Sequence, residues 1–381
     1  MLLRQLSLAN FRSYSNLDLE LNPGLTTITG ENGQGKSNLL EAIYFLAIGK
    51  SYRASVEKDL IYWHADFTDA YLIIAADIER KEGFSNIRIG LKPYDGSKIS
   101  KQIRIDGIPR RITDLIGTLN AVLFSPEDME LVFGSPAGRR KYLDILLAQI
   151  SRNYVRSLSK YQRILLQRNA LLKRIKDKAA LESELDFWDY SLSSEGAIIL
   201  RQRVEAMDQL NRSANTLFNQ LSGESNIEIK YSSTVDTDNQ QEIESAMIKN
   251  LTLSRSYEIQ RGSTLVGPHR DDMRLIVKGI DASKHVSRGQ ARLIALSLRL
   301  AESRLLSTMR GDPPIILLDD VFSELDVTRR SLVMDEISTY TQVIITSADS
   351  HLLGGKYLGD STKLLLRNGV LLPEGSSTHG N

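Results

Sequence analysis

The stretch that decides the fold is TTITGENGQGKSNLLEAIYFL, residues 26–46. Its centre matches the P-loop pattern, Gly-x4-Gly-Lys-Ser, at residues 30–37. The apolar, β-prone residues 25–29 predict a buried strand before the loop, and residues 38–50 predict a helix after it. One face of that helix would hold Leu39, Leu40, Ile43, Leu46 and Ala47. Strand, glycine loop and helix follow in the required order, which favours a nucleotide site over a glycine-rich turn that matches by chance.

Each residue type in the loop has a chemical role. Glycines let backbone N–H groups converge on phosphates, and the start of the helix adds a positive dipole. We expect Lys36 to reach the β and γ phosphates of a nucleotide and the Ser37 hydroxyl to coordinate Mg²⁺.

Composition excludes several classes of protein. The chain has 381 residues, 41% of them apolar, which suffices for one large domain or two ordinary ones. It has no cysteine, which excludes disulfides and thiol chemistry, and its net charge of +1 does not indicate a polyanionic partner. Arg4, Asn10 and Arg12 interrupt the first residues, unlike a signal peptide, and no apolar run approaches the roughly 20 residues of a membrane helix. We expect a soluble cytoplasmic protein.

A second motif, PPIILLDDVFSELD at residues 313–326, supplies the carboxylate that a P-loop needs. Residues 315–318 predict a buried strand, and Asp319 follows at its carboxyl end, where open α/β sheets place ligand sites. We predict that Asp319 coordinates Mg²⁺ and that Asp320 orients or deprotonates a water molecule. An acidic loop after an ordinary core strand is the alternative, but it does not account for two adjacent acids.

A third motif, the signature motif, is Ser287-Arg288-Gly289-Gln290. As local structure it predicts a capping box, Ser-x-x-Gln, at the start of an amphipathic helix. Gly289 costs helix stability relative to alanine, which an approaching γ-phosphate would justify. The motif begins 32 positions before Asp319, and this spacing favours a phosphate contact over a simple helix cap.

Together these motifs resemble the ABC-type ATPase head, and Ser-Glu-Leu-Asp at residues 323–326 adds to the likeness. Within that class the chain is similar to the RecF family of DNA replication and repair ATPases, which are related to SMC proteins. The stretches that carry this resemblance are LANFRSYSNLDLEL (8–21), VLFSPEDMELVFGSPAGRRKYLD (122–144), LVGPHRDDM (265–273) and LLDDVFSELD (317–326).

The resemblance implies an ATP-dependent DNA-binding protein of recombinational repair, replication-fork maintenance and the SOS response. Such proteins form head-to-head homodimers on double-stranded or gapped DNA, with each ATP and its Mg²⁺ held between one P-loop and the other subunit's signature helix. RecO and RecR are the implied partners, and the loading of RecA is the implied outcome. A weak DNA-stimulated ATPase activity is expected.

The resemblance also assigns roles position by position. The ATP-binding residues would be Gly30, Glu31, Asn32, Gly33, Gln34, Gly35, Lys36 and Ser37. Mg²⁺ would be held by Ser37 and Asp319, and Asp320 would be the catalytic carboxylate. The contact to the other subunit's ATP would come from Ser287, Arg288, Gly289 and Gln290. The dimer-interface loop would consist of Ser323, Glu324, Leu325 and Asp326.

The chain departs from the broader ABC pattern at three places. Asp320 stands where many members have glutamate, and the loop expected to offer a water-positioning glutamine reads SPEDM, residues 125–129. Thr346 or Ser347 replaces the usual switch histidine, and His351 is not expected to substitute for it. Hydrolysis is therefore expected, with its base and its rate left open.

A long basic segment lies between the motifs. Residues 138–178 predict one long helix and contain twelve Lys or Arg against two Asp, a net charge of +10. Arg152, Arg156, Lys160 and Arg163 share one predicted face. A solvated helix face is the ordinary interpretation of such a run, but the unbalanced charge favours contact with DNA.

Asp319 lies 283 positions after Lys36, which predicts a sizeable insertion between the two halves of the site. We predict an α/β P-loop ATPase head at residues 1–112 and 264–381, split by a mainly helical lid at residues 113–263. Two other functions stay open. One is the nucleotide-binding subunit of an ABC transporter, against which the basic insert and the missing glutamine argue; the other is a DNA scaffold that never hydrolyses its ATP.

Overall fold

The computed structural model describes residues 1–62, 71–94, 98–223, 226–349, 361–367 and 369–373. The chain divides into two compact units. The first unit is Met1–Asp128 with Leu296–Asn381, and the second is Met129–Ala295. The second unit is thus one large insertion within the first, as the sequence predicts.

Within these described ranges, the strands before the insertion are β1 Leu2–Phe11, β2 Tyr14–Glu20, β3 Gly24–Thr29, β4 Leu72–Arg80, β5 Gly83–Tyr94, β6 Lys98–Ile105, β7 Ile108–Arg110 and β8 Ala121–Phe124. The strands of the insertion are β9 Ile227–Ser232, β10 Asp272–Val277 and β11 Ile280–Asp281. The strands after it are β12 Ile315–Asp319, β13 Gln342–Ser347, β14 Thr362–Arg367 and β15 Val370–Pro373.

The helices over the same ranges are α1 Lys36–Ile48, α2 Ile112–Leu115, α3 Glu130–Phe133, α4 Pro136–Ile150, α5 Arg152–Lys176, α6 Leu185–Ser222, α7 Ile243–Arg261, α8 Ala282–His285, α9 Arg288–Arg310 and α10 Val327–Ile337. Among them no helix is both long and apolar enough to span a bilayer.

The nucleotide sheet of the first unit has the strand order β15-β14-β3-β13-β12-β8. All neighbours are parallel except β14 and β15. In register, Asp319 of β12 lies opposite Thr346 of β13, which lies opposite Ile28 of β3. The carboxyl ends of three strands that are distant in sequence therefore meet at one edge of the sheet, where ligand sites form.

Helix α1 differs from its expected one-sided pattern. Every residue from 38 to 48 is buried, not only the predicted face. The helix ends at Ile48, and the next residue, Gly49, has a φ of 67°, the left-handed C-cap conformation that glycine adopts without strain. A fully enclosed α1 holds the P-loop rigidly against the sheet.

The other sheet of the first unit is antiparallel, with the order β2-β1-β4-β5-β6-β7. Strands β1 and β2 form a hairpin in which Phe11 pairs with Tyr14. Arg12 therefore lies at the hairpin turn, with a left-handed φ of 54°.

The second unit combines helices α4–α7 with a three-stranded sheet, β11-β10-β9. The single helix predicted over residues 138–178 is wrong: α4 ends at Ile150 and α5 begins at Arg152. Ser151 lies between them in an extended conformation, and its side chain accepts a hydrogen bond from the Tyr154 N–H at 3.2 Å. A serine N-cap thus starts a new helix where apolar periodicity alone continues.

Two buried arginines organise this unit. Arg168 of α5 donates to Asp189 of α6 at 2.7 Å and pairs with Glu258 of α7 at 2.7 Å. Arg203 of α6 pairs with Asp144 of α4 at 2.7 Å and donates to the Pro268 carbonyl at 2.7 Å. Because a buried charge is costly unless paired, these contacts fix the mutual arrangement of α4, α5, α6 and α7.

The unit boundaries lie elsewhere than the predicted domain boundaries. Residues 113–128 cluster with the first unit because β8 pairs in parallel with β12. Residues 264–295 cluster with the second because β10 pairs with β9 and Arg139 of α4 binds Asp272 at 2.8 Å. Where the functional domains begin and end stays a prediction.

Candidate nucleotide-binding site

The P-loop, residues 30–37, follows β3 and turns through three glycines with positive φ. A Cβ on Gly30 would lie 2.5 Å from the Leu366 carbonyl oxygen, and one on Gly35 would lie 2.5 Å from the Ser13 hydroxyl. Gly35 is also the N-cap of α1 and offers no side chain to its first turn. The N–H groups at this helix start are left for another acceptor, as anion binding requires.

Lys36 is buried beside the loop that it follows. Its ammonium donates to the carbonyl oxygens of Gly30 and, at 2.8 Å, of Glu31. Burial lowers the pKa of Lys36, while the carboxylates of Asp320 and Asp319 oppose this effect. The cation is thus held at the loop with two acids nearby.

Asp319 lies at the end of β12 and meets the P-loop directly. Its Oδ1 accepts from the Ser37 hydroxyl at 2.8 Å and from the Thr346 hydroxyl at 2.9 Å. Burial raises the pKa of Asp319, although these two hydrogen bonds oppose it. A carboxylate and a hydroxyl within hydrogen-bond distance form the hard oxygen donor set that suits Mg²⁺.

Asp320 has an unusual backbone conformation and a buried oxygen. Its φ of 50° and ψ of 31° are left-handed, a region that residues other than glycine rarely adopt. Its Oδ1 is buried and has no hydrogen-bond partner in the described part of the chain. Strained backbone and unpaired buried carboxylate oxygens concentrate at functional sites, so Asp320 is a candidate functional residue.

A cleft of ≈ 630 Å³ opens over these groups. Besides Lys36, Ser37, Asp319 and Asp320, its lining includes Arg12, Arg53 and Glu127, to which the sequence assigned no role. The signal that could have found Arg12 was the family stretch at residues 8–21, in which it lies.

Arg12 is fixed by its surroundings. It donates to both carboxylate oxygens of buried Glu41, at 3.0 and 2.9 Å, and to the Asp59 carbonyl at 2.8 Å. A bidentate arginine–carboxylate pair is rigid as well as strong. Arg12 therefore lies at the wall of the cleft with its guanidinium held in one orientation by Glu41.

The residues that depart from the ABC pattern make the following contacts. Of the two candidates for the switch position, Thr346 contacts Asp319, whereas the Ser347 hydroxyl donates to the Asp349 carbonyl at 2.9 Å. In the SPEDM loop, Glu127 lines the cleft and Asp128 accepts from Arg299 at 2.6 Å. His351 lies outside the described residues.

The signature motif forms the predicted capping box at the start of α9. The Ser287 N–H donates to the Gln290 side chain at 3.1 Å, and the Gln290 N–H donates to the Ser287 hydroxyl at 3.2 Å. All four residues of the motif are exposed. A Cβ on Gly289 would meet only the Ser287 hydroxyl, at 3.9 Å, so the packing of this chain does not itself require a glycine there.

The predicted interface loop begins three residues after Asp320. The Ser323 hydroxyl donates to the Asp320 carbonyl at 2.8 Å, and Leu325 is buried. The Asp326 carboxylate caps α10 by accepting from the Arg329 N–H at 2.9 Å. Ser323, Glu324 and Asp326 are exposed, so the loop offers polar groups while its Ser323 side chain is bonded to the Asp320 backbone.

The four basic residues predicted to contact DNA are all exposed on α5. Lys160 pairs with Glu195 at 3.0 Å, and Arg163 donates to the Ser159 hydroxyl at 3.1 Å. Arg152 and Arg156 have no ion-pair partner among the residues described. The net charge of +10 overstates the charge that residues 138–178 can present to DNA, because Arg139 and Arg168 form ion pairs within the second unit.

Comparison with known proteins agrees with this geometry. The model of the family described as "RecF/RecN/SMC N terminal domain" matches residues 2–357. The DNA replication and repair protein RecF of Roseiflexus castenholzii is 38% identical, covering 98% of this chain and 100% of that protein. The RecF of Halalkalibacterium halodurans is 37% identical, with 98% and 100% covered.

Solved structures show the same relationship. A structure of the recombination mediator protein RecF with ATPrS, in the RecFOR pathway, has a TM-score of 0.87 and 31% identity, with 98% of each chain covered. An Smc head bound to the C-terminal winged-helix domain of ScpA has a TM-score of 0.56 at 18% identity, with 98% of each chain covered, which shows a shared fold alone.

The fold and these comparisons define the class of protein: an ABC-type P-loop ATPase head of the RecF/RecN/SMC group, split by an inserted unit. The RecF of Roseiflexus castenholzii is 38% identical over nearly the full length of both chains, which identifies the family within this class. The chain belongs to the RecF family.

Proposed function

We propose that this chain is an ATP-dependent DNA-binding protein of recombinational repair, replication-fork maintenance and the SOS response, acting in the cytoplasm. ATP drives two copies into a head-to-head dimer on double-stranded or gapped DNA, and slow hydrolysis reopens it. RecO and RecR are the proposed partners, and loading of RecA is the proposed result.

One observation carries the proposal: Lys36, Ser37, Asp319 and Asp320 meet at a single sheet edge, in a cleft that begins at the N-terminus of α1. Lys36 and the first-turn N–H groups of α1 bind and orient the β and γ phosphates. Ser37 and Asp319 hold Mg²⁺, which when bound neutralises charge on the phosphates. Asp320 positions the attacking water from its unpaired oxygen.

The exposed signature motif supports the dimer. The start of α9 is exposed, and packing within this chain does not require a glycine at position 289. This helix start is therefore suited to contact a phosphate of the ATP bound by a second copy. The Ser323 side chain of the interface loop is hydrogen-bonded to the main-chain carbonyl of Asp320, so contact between copies would act on the backbone that carries the catalytic carboxylate. The single site thus accounts for dimer formation and for hydrolysis.

Ser287→Arg is expected to spare ATP binding by one subunit, because that uses Lys36 and Ser37. It should abolish ATP-induced dimers, since a long charged side chain replaces the small residue that approaches the partner's ATP. Sedimentation velocity with and without ATP measures this. Ser256→Arg, the same change at an exposed position of α7, is the matched control and should dimerise normally. If Ser287→Arg still forms ATP-dependent dimers, the signature motif only caps α9 and does not contact the partner's ATP.

Replacing Arg152, Arg156, Lys160 and Arg163 by glutamine is expected to flatten the salt dependence of DNA binding. Each phosphate contact contributes about 0.9 to the slope of log affinity against log salt for duplex DNA. Because Lys160 is already paired, changing Arg152 and Arg156 alone should remove about 1.8 of that slope. Glutamine preserves helix propensity, so α5 should persist.

The matched control for this experiment changes Lys249 and Lys284, two exposed lysines outside α5, to glutamine. This control variant should leave the salt slope unchanged. The α5 variants should do the same if the basic residues of α5 serve only solubility. A wild-type slope in the quadruple variant would mean that the basic face of α5 is only solvated and that DNA binds at another surface.

The transporter alternative has no support in the comparisons. Relatives that match almost the full chain, insertion included, are named DNA replication and repair proteins.

A further inference from the structure

The two oxygens of the Asp319 carboxylate have different partners. Oδ1 accepts from Ser37 and Thr346, whereas Oδ2 accepts from the Tyr52 hydroxyl at 3.3 Å. Ser37 and Thr346 come from the P-loop helix and the neighbouring strand, but Tyr52 comes from the segment that follows α1. A third element therefore reaches into the metal end of the site.

We propose that Tyr52 is a positioning residue for the Mg²⁺ ligand Asp319: its hydroxyl holds Oδ2 and so keeps Oδ1 turned toward Ser37. The inference rests on the proposed function, since it assigns a role toward the metal of that same site. Neighbours that hydrogen-bond a ligating carboxylate set its orientation, and losing one typically lowers metal affinity about 10–100-fold.

Tyr52 can act in this way because its own backbone is fastened. The Ser51 hydroxyl donates to buried Glu41 of α1, and the N–H groups of Arg53 and Ala54 donate to that hydroxyl at 3.0 and 2.7 Å. These bonds form a tight turn around Tyr52. The same Glu41 binds Arg12, so the turn is anchored to a rigid ion pair.

Two further contacts hold the segment and the ring. Lys101 of β6 donates to the Gly49 carbonyl and to Glu57, and so ties both ends of the segment to the antiparallel sheet. The Tyr52 ring packs edge-on against buried Tyr44 of α1, with centroids 6.0 Å apart and planes at 86°. This T-shaped geometry is the favoured one for aromatic pairs and fixes the direction of the hydroxyl.

Tyr52→Phe tests the proposal because it removes the hydroxyl and keeps the ring against Tyr44. Binding of a fluorescent ATP analogue is titrated with Mg²⁺, and separately measured in EDTA. The expected result is that half-maximal binding needs about tenfold more Mg²⁺ than in the unchanged protein, with metal-free nucleotide affinity unaltered. Phosphate release should likewise recover toward the wild-type rate at high Mg²⁺, which a merely structural defect would not do.

Tyr94→Phe, the same chemical change at an exposed tyrosine of the same unit, is the control and should show the wild-type Mg²⁺ dependence. A wild-type Mg²⁺ midpoint in Tyr52→Phe would overturn the proposal, and so would a loss of metal-free binding with a lowered melting temperature. These results leave the proposed function standing if the unchanged protein binds ATP. Failure of the unchanged protein to bind ATP would instead refute the proposed function itself.

Discussion

Lys36→Ala is expected to weaken ATP binding by about a hundredfold or more. Lys36 is the buried cation held at the P-loop carbonyls, and in the proposed complex it moves from them to two phosphates. Charge-assisted hydrogen bonds contribute about 1.5–3 kcal/mol each, so losing contacts to both phosphates should cost about 3 kcal/mol or more. Every 1.4 kcal/mol is roughly tenfold in affinity. Fluorescence titration with an ATP analogue measures the change.

The control for this substitution is Lys50→Ala, which removes an exposed lysine just past the end of α1. It should bind ATP as the unchanged protein does. Because alanine is a good helix former, the start of α1 should survive in Lys36→Ala, and thermal unfolding without nucleotide checks this. An unchanged ATP affinity in Lys36→Ala would mean that the cleft is not the nucleotide site.

Asp320→Asn is expected to slow hydrolysis by about a hundredfold or more while leaving ATP binding largely intact. General-base catalysis typically contributes about 10²–10⁴ in rate, and the proposed role of Asp320 is toward water, not toward the ground-state phosphates. Asparagine tolerates the left-handed backbone at this position, so the strand end should keep its shape. Single-turnover phosphate release measures the rate, and the ATP-bound dimer should last longer in sedimentation.

Glu127→Gln is the matched comparison, since Glu127 is another carboxylate that lines the same cleft. If Asp320 is the base, Glu127→Gln should keep most of the hydrolysis rate. A wild-type rate in Asp320→Asn together with a slow Glu127→Gln would transfer the role to Glu127, in the loop where the ABC pattern has glutamine.

The sequence predicted the elements of the nucleotide site because their signals are local. Glycine spacing, apolar runs of four or five residues and the acids at a strand end each need only a short window. Strands β3 and β12 therefore lie where residues 25–29 and 315–318 predict them. The capping box at Ser287 was predictable for the same reason.

What the sequence did not predict depends on contacts between distant segments. Tyr52 and Arg12 have no motif of their own, and their roles emerge only where Asp319 and Glu41 are brought beside them. The helix break at Ser151 is an exception, because it depends on a local hydrogen bond between the Ser151 side chain and the Tyr154 N–H, within an apolar period that continues unbroken. Residues 264–295 cluster with the insertion because β10 pairs with β9, about 40 residues earlier in the chain. A short window of sequence does not show which distant strand is the partner.

The central claim is that ATP binding, dimer formation and DNA binding are one coupled switch that hydrolysis resets. Phosphate release by the unchanged protein, measured with and without duplex DNA, tests it most directly, with Lys36→Ala as the blank. We predict slow release without DNA and a clear increase when duplex DNA is added. A chain that binds ATP and DNA but releases no phosphate above the Lys36→Ala blank under either condition would contradict this account, and would leave the DNA scaffold with structural ATP in its place.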